Sequence, residues 1–449
     1  MVTKNKDKIA MKEYIAVIQA GGKGSRMLEY TKDEIPKPML LLNGKPMLQW
    51  QIEEVASYGV KEFVIIIGHL GEKIEKYFGD GKKYSVHISY IREKEPLGSA
   101  GAMYYLKKLI NTENFILIFG DVMFTLDWNR MKAFHESTQA SATLLVHPNG
   151  HPYDSDLLIL NKENQVTNID SKNNIRNYWY NNIVNAGIYI FKSEVLSKID
   201  CVKKRDLEKD IIVPLIKEGK VYGYRTPEYV KDAGTPKRYQ SVCREQKEGL
   251  WKKKCLSNKQ KCIFLDRDGT VNKYNGLISR DEQLELENSV AEAVKKINES
   301  GYLAIIITNQ PVVARGMCSI EDVEYIHKKL QTLLGEQGVY VDDIAFCPHH
   351  PDKGYPEENP IYKIKCECRK PSIGMIDCMA KKYNIDLKNS WIIGDTTIDI
   401  QTGKNAGMNT ALLLTGEAGN DKKYHVQQDI TSRTLLEAVE TILVMEKSE

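Results

Sequence analysis

Three thiols and two imidazoles crowd one stretch of this chain, CPHHPDKGYPEENPIYKIKCECRKP, residues 347–371. Cys347-x-His349 and Cys366-x-Cys368 are paired ligand sets joined by a loop, the number and softness that suit tetrahedral Zn²⁺. Four protein ligands leave no open coordination position, so the metal is expected to be structural. His350 is the rival ligand to His349. The intervening segment carries three prolines and much charge, so it cannot build a core, and a metal would pin it. Arg369 and Lys370 come immediately after Cys368. A second pattern is CIFLDRDGTVN at 262–272, where an apolar run delivers Asp266 and Asp268 two residues apart. Alternate residues of an extended chain face the same way, so both carboxyl groups can reach one pocket. A third is AVIQAGGKGSRM, where a strand runs into a glycine-rich turn. Without side chains at Gly21, Gly22 and Gly24, backbone N–H groups can approach phosphate oxygens closely.

Short apolar runs must position these groups. IAVIQAGG, FVIIIG, FILIFGD and ATLLVHP read as buried strands, and PMLQWQIEEVASYG as a helix between two of them. The alternation predicts α/β units with parallel strands. It lapses over EQKEGLWKKKCLSNKQK and resumes with CIFLDRDGT, YLAIIITNQ, DDIAFCPHH and SWIIGDTTID. The expected fold class is therefore α/β with two doubly wound domains. The expected boundaries are a tail 1–12, a first domain 13–245, a linker 246–260 and a second domain 261–449. A length of 449 residues supports this division, since single cores rarely outgrow about 250–300 residues.

The 63 basic and 60 acidic residues leave a net charge of +3, which gives no electrostatic reason to expect nucleic acid or an anionic membrane as partner. The polar start MVTKNKDKIAMKEY lacks the apolar core of a secretion signal, and the apolar runs are too short to span a bilayer. A cytoplasmic protein is expected. The nine cysteines are then thiols or metal ligands rather than disulfides. Cys201, Cys243, Cys255, Cys262, Cys318 and Cys378 lack paired spacing and read as plain thiols. NNIRNYWYNN at 173–182 reads as a packed surface loop. Nothing fixes the oligomeric state; a homo-oligomer stays open.

The glycine-rich turn and five later segments, in the order GGKGSRM, IPKPML, EPLGSAGA, FGDV, NAGIY and KDAGTP, resemble the nucleotidyltransferases that activate sugar 1-phosphates. Their signature is GGxGTRL, then P-K-P. The resemblance covers roughly 13–245 and implies a Rossmann-like domain. There a sugar 1-phosphate oxygen attacks the α-phosphorus of a nucleoside triphosphate and pyrophosphate leaves. Both reactants are anions, so catalysis is mainly positioning and charge neutralisation. Arg26 would stabilise the triphosphate and Lys37 would bridge the α-phosphate and the sugar phosphate. Gly21, Gly22, Gly24, Ser25, Gly98, Ser99 and Asp121 would bind the nucleotide. Asn185 and Gly187 would meet the sugar, and Asp121 and Asp232 would hold Mg²⁺. EPLGSAGA is similar to the guanylyltransferase version EPLGTAG, which points to GTP.

The second domain resembles the haloacid dehalogenase superfamily of phosphatases. DRDGTV, IIITNQ, CRKP and WIIGDTTID occur in that order. The resemblance implies Asp266 as nucleophile and Asp268 as acid and base. Thr308 and Lys370 would bind phosphoryl oxygens, and Mg²⁺ would sit on Asp266, Asp395 and the main-chain carbonyl of Asp268. Asp399 would orient Lys370. The cysteine loop with CRKP, and TNQPVVARG at 308–316, resemble the heptose 1,7-bisphosphate 7-phosphatases and the related histidinol-phosphatases. This implies Asn309, Arg315 and Arg369 as substrate contacts. The chemistries are consecutive: one removes the 7-phosphate of heptose 1,7-bisphosphate, the other turns heptose 1-phosphate into GDP-heptose. The expectation is a bifunctional enzyme acting on sugar phosphates and GTP, with Mg²⁺ in both domains and Zn²⁺ in the second. The alternatives are a mannose-1-phosphate or other nucleotidyltransferase fused to a histidinol-phosphatase-like enzyme, and a non-catalytic regulatory subunit.

Overall fold

The computed structural model describes residues 11–448. Most of the expected tail 1–12 lies outside the described residues. Met11 is buried, and its N–H donates to the Tyr58 carbonyl at 3.2 Å. Chain contacts form two compact units. The first takes the described chain up to His147, then Leu158–Ser171 and Asn185–Cys255. The second takes Pro148–Leu157, Lys172–Val184 and the chain from Leu256 onward. Compactness therefore groups residues differently from the segments 13–245 and 261–449: two short pieces from before residue 185 belong with the later chain.

The first unit is built on a nine-stranded sheet. Ile15–Ala20 lies at its centre, parallel to Glu62–Ile67 on one side and Asn114–Phe119 on the other. His87–Arg92 extends the parallel part, while Val184–Lys192 pairs antiparallel with Asn114–Phe119. The sheet is mixed where the strand pattern alone suggested parallel. An apolar run signals burial but carries no sign of direction. Ile65, Ile66, Ile67, Ile116, Leu117 and Ile118 are all fully buried, consistent with strands covered on both faces. A separate ribbon pairs Val122–Thr125 antiparallel with Tyr229–Asp232, with Asp232 opposite Val122. The segment 246–260, expected as a linker, carries the helical turn Leu250–Lys253. Its Trp251 is buried in the first unit, edge-on to Trp50 with ring centroids 5.6 Å apart.

The second unit holds a six-stranded sheet that is parallel throughout. From one edge the strands are Asp343–Cys347, Leu303–Asn309, Cys262–Leu265, Trp391–Gly394, Asn409–Leu413 and Ile430–Ser432. Period-2 alternation divides Cys262–Leu265 between two cores. Ile263 and Leu265 enter one cluster with the helices Val290–Ser300 and Leu435–Ser448. Cys262 and Phe264 enter another with the helix Gly374–Tyr383. That two-sided covering makes the sheet doubly wound. It places the ends of Cys262–Leu265, Leu303–Asn309 and Trp391–Gly394 along one edge, where open parallel sheets bind ligands.

Candidate active sites and metal centre

Three of the second unit's strands end in the groups that could do chemistry. Asp266 directly succeeds Cys262–Leu265, Thr308 is the penultimate residue of Leu303–Asn309, and Asp395 directly succeeds Trp391–Gly394. The Lys370 ammonium enters between carboxylates, its Nζ 2.8 Å from Asp266 Oδ1 and 2.6 Å from Asp399 Oδ1. Asp399 also accepts from the Thr396 hydroxyl at 2.5 Å, so it is fixed as the lysine's counter-charge. Lys370 is held at its backbone too. Its N–H donates to Asn309 Oδ1 at 3.0 Å, and the Asn309 amide returns a bond to its carbonyl at 3.1 Å.

Asp266, Asp395 and Asp399 bring carboxylate oxygens mutually within 4.8 Å. Burial pushes Asp266 up to about 7, with Lys370 opposing and Asp399 and Asp268 adding to the rise. Burial, then Asp266 and Asp399, push Asp395 up to about 8. Burial opposes the Lys370 charge, yet Asp266 and Asp399 hold its pKa above the ordinary value. Asp395 Oδ1 is buried with no hydrogen-bond partner, while its Oδ2 accepts from the Glu417 N–H at 2.7 Å. An orphaned carboxylate oxygen among crowded acids fits a hard divalent cation such as Mg²⁺. Gly269 explains the glycine after D-x-D: its φ is +78°, and a Cβ there would lie 2.3 Å from Asp395 Oδ2.

Asp268 is enclosed by residues that the motifs did not single out. Arg267, fully buried, donates to both its oxygens at 2.9 Å. Gln310 Nε2 donates to Oδ2 at 2.9 Å and Asn272 Nδ2 to Oδ1 at 3.1 Å. The same Gln310 amide reaches the Thr308 hydroxyl at 2.9 Å. A residue between two aspartates on a strand should face away from their pocket. Only its unusual type, a long cation inside a buried run, signalled otherwise.

Cys347, His349, Cys366 and Cys368 place four ligand atoms mutually within 4.8 Å. The sulfurs are 3.1–3.5 Å apart, and His349 Nδ1 is 3.3 Å from Cys368 Sγ. No disulfide joins them. The sulfurs lie somewhat inside the edge of about 3.8 Å that Zn–S bonds of about 2.3 Å give a thiolate tetrahedron, and the number and type of ligands suit Zn²⁺. His350 is not in the cluster; its Nδ1 accepts from the Asp352 N–H at 3.2 Å. Arg369 donates to the His349 carbonyl at 3.1 Å, which ties the ligand loop to the residue before Lys370.

In the first unit, Ile15–Ala20 opens into the glycine turn. Gly24 takes φ +62°, and a Cβ there would lie 3.1 Å from Lys37 Cβ. Lys37 is buried and ion-paired to Asp121. A Cβ on Gly234 would meet Asp232 Oδ1 at 2.5 Å, Lys37 Nζ at 3.1 Å and Arg26 Nη2 at 3.3 Å. The Ala233 N–H bonds the Asp121 carbonyl at 2.8 Å. The structure thus gathers Arg26, Lys37, Asp121 and Asp232 around Gly234. Asp232 is also paired with Arg238, which the sequence patterns did not flag. Gly21 packs against Glu93, whose Oε2 would lie 2.3 Å from a Cβ. Gly98 and Ser99 lie against residues 205–207: a Cβ on Gly98 would meet the Arg205 carbonyl at 2.4 Å, and Ser99 Oγ accepts from the Leu207 N–H at 2.7 Å. Asn185 donates to Glu208 Oε1 and to the Tyr189 hydroxyl, both at 2.9 Å, and its Oδ1 accepts from the Gly187 N–H at 3.2 Å. The aromatic stretch 173–182 packs in the second unit. Tyr180 N–H bonds Thr332 Oγ1 at 3.0 Å and Trp179 Nε1 bonds Asp281 at 2.8 Å.

The chain is thus an α/β protein with two clusters of charged residues, one of carboxylates around a lysine and one of a glycine turn with basic and acidic partners. It belongs to the nucleotidyl transferase family, whose model matches residues 15–248, and in its C-terminal part the HAD-hydrolase-like model matches residues 367–438. A D-glycero-beta-D-manno-heptose-1,7-bisphosphate 7-phosphatase of Rhodopseudomonas palustris is 40% identical over 145 residues, 32% of this chain and 78% of the relative. A D-glycero-alpha-D-manno-heptose-1,7-bisphosphate 7-phosphatase of Photorhabdus laumondii is 41% identical over 157 residues, 35% of this chain and 84% of the relative. Among solved structures, HddC from Yersinia pseudotuberculosis is 26% identical with a TM-score of 0.46, covering 52% of this chain and 99% of that one.

Proposed function

We propose that this chain is a bifunctional enzyme of GDP-heptose synthesis. Its second unit hydrolyses the 7-phosphate of D-glycero-α-D-manno-heptose 1,7-bisphosphate. Its first unit transfers GMP from GTP to heptose 1-phosphate and releases pyrophosphate. The observation that carries the reading is the Asp266–Lys370–Asp399 arrangement, in a chain whose relatives are named for the α- or the β-anomer of heptose 1,7-bisphosphate.

In the hydrolysis, an Asp266 oxygen forms a bond to phosphorus as the bond to the sugar oxygen breaks. Asp268 supplies the proton to the leaving oxygen. Water then attacks the same phosphorus, Asp268 takes its proton, and phosphate leaves as Asp266 is regenerated. Lys370 and Thr308 hold the phosphoryl oxygens. Mg²⁺ on Asp266, Asp395 and the Asp268 carbonyl would neutralise phosphoryl charge. Arg315 and Arg369 are assigned to the phosphate that stays on the sugar. In the transfer, an oxygen of the sugar 1-phosphate bonds to the α-phosphorus of GTP and the link to the β-phosphate breaks. Lys37 and Arg26 bind the converging anions, and Asp121 and Asp232 would carry Mg²⁺. Zn²⁺ in the Cys347–His349–Cys366–Cys368 cluster would be structural. No helix among the described residues is long and apolar enough to cross a membrane, and thiol ligands suit the reducing cytoplasm, where we place the enzyme.

The α-anomer is inferred from GTP as donor and from the EPLGSAGA segment. The two phosphatase relatives carry both anomers in their names, so the substrate panel must contain both. Incubation with each bisphosphate, GTP and Mg²⁺ should release phosphate and pyrophosphate and yield GDP-heptose from the α-anomer. Absence of both phosphate release and a GDP-sugar would refute the reading.

A further inference from the structure

Lys363 lies in the long segment between the two halves of the cysteine cluster. Its side chain is only 3% exposed, yet its Nζ has no hydrogen-bond partner. The charge paired with it, Glu358 Oε2, is 3.5 Å away and already accepts from the Gly354 N–H at 3.1 Å. The ammonium lies 4.8 Å from the centre of the Tyr355 ring, and the Arg315 guanidinium lies 4.3 Å from the same centre. Arg315 Nε is likewise buried without a partner. Two cations thus share one aromatic ring, and the carboxylate paired with Lys363 makes no hydrogen bond to it. Like charges so placed repel, and buried donors without acceptors are unfavourable. A dianion would satisfy both.

The segment is seated against the loop after Leu303–Asn309. Asn359 N–H bonds the Ala314 carbonyl at 2.9 Å, and a Cβ on Gly316 would lie 1.6 Å from the Glu357 carbonyl oxygen, so the loops touch backbone to backbone. The same segment is fixed at its other end by the His350 N–H to the Tyr362 carbonyl at 3.1 Å. Arg315 is thereby tied to the loop that carries Lys363. The strand that leads into the Arg315 loop ends at Asn309, which is bonded to the Lys370 backbone.

We propose that Lys363 determines substrate specificity: with Arg315 it binds the phosphate remote from the bond being hydrolysed, and so selects sugar bisphosphates over monophosphates. The inference rests on the proposed phosphatase activity and adds to it a residue that neither the D-x-D nor the zinc pattern contains. Lysine suits the task because its compact, mobile ammonium meets a phosphate as a point charge. Tyr355 fixes the geometry by offering its ring face to both cations.

The test uses the full-length, zinc-loaded protein. Lys363→Met should raise KM for the bisphosphate at least tenfold, leave kcat near the wild type, and leave both constants for heptose 7-phosphate unchanged. Lys363→Arg should restore most of the bisphosphate preference. Equal effects on the two substrates, or no effect on either, would overturn the inference. Zinc content and melting temperature accompany each variant. If Lys363→Met loses zinc or unfolds, Glu358→Gln decides: removing the competing carboxylate should lower KM for the bisphosphate alone, and an unchanged ratio refutes the role. If the wild type spares heptose esters, the substrate reading fails. The Lys363 ratio is then taken with a hexose 1,6-bisphosphate and the matching 6-phosphate, so the two failures remain distinct.

Discussion

Removing Mg²⁺ should make the phosphatase unit lose stability as pH rises through neutrality. Asp395 is buried beside Asp266 and Asp399, and its carboxyl is pushed up from 3.8 to about 8. A raised folded-state pKa means that the folded protein binds a proton that the unfolded chain has released. The resulting stability is complete below the unfolded value of 3.8 and disappears as pH rises through about 8. In the intervening window the slope approaches about 1.36 kcal/mol per pH unit. Between pH 6 and pH 8 this one group accounts for a loss of about 2 kcal/mol, and Asp266, raised to about 7, adds to it. The assay is urea unfolding at pH 6, 7 and 8, monitored by a probe in the second unit, after dialysis that removes Mg²⁺ but leaves any zinc bound. Adding Mg²⁺ should restore stability most at pH 8, where the carboxylates are ionised and the cation binds the folded state best. Asp395→Asn removes the titrating group and should flatten the profile. A metal-free protein whose stability is level or rising from pH 6 to 8, or an Asp395→Asn variant with an unchanged slope, would refute the reasoning.

Asp266→Asn should reduce phosphate release by at least about 10³-fold with pyrophosphate release unchanged, as removal of a covalent nucleophile requires; paired phosphate and pyrophosphate assays check this. Lys37→Met should do the reverse, lowering GDP-sugar formation by about 10²–10³-fold through loss of a cation at the site of developing charge, measured by nucleotide chromatography. Cys366→Ser should abolish stoichiometric zinc, measured by metal analysis, and depress phosphatase activity through the loop that leads to Lys370. Trp251→Ala should destabilise the first unit by about 3–5 kcal/mol, since it vacates a packed aromatic site against Trp50, and denaturant unfolding reads it directly.

Much of the site was legible because its chemistry demands rare combinations. D-x-D after an apolar run needs a strand end, and the structure supplies one at Asp266. Cysteines spaced as C-x-H and C-x-C converge as their spacing indicated, with His349 rather than His350 in the cluster. Lys37, Asp121 and Asp232 are far apart in the chain, yet each sits in a short motif that marks an element's end. What escaped detection depends on tertiary packing. Arg267 turns back onto Asp268 because Gln310 and His327 accept from it in the interior, a bond pattern with no local signature. Trp251 sits among lysines that read as a solvated run, and only its large apolar ring marks it as a core residue. Strand direction at Val184–Lys192 was invisible because burial, not orientation, selects apolar residues. Lys363 sits in a charged, proline-rich segment with no local sign of burial, since a neighbouring loop covers it.

The second unit is discontinuous in the chain. Pro148–Leu157 and Lys172–Val184 are synthesised well before the strands from Cys262 onward, yet Tyr180 and Asn182 find their hydrogen-bond partners on the helix Ile320–Glu336. Those early pieces lack these partners until the ribosome has delivered that helix. A gene cut at residue 256 would therefore yield a downstream fragment stripped of its own buried tyrosine, with Thr332 facing water instead. Engineers wishing to express the hydrolase by itself must graft the earlier segments back on rather than trim at the seam.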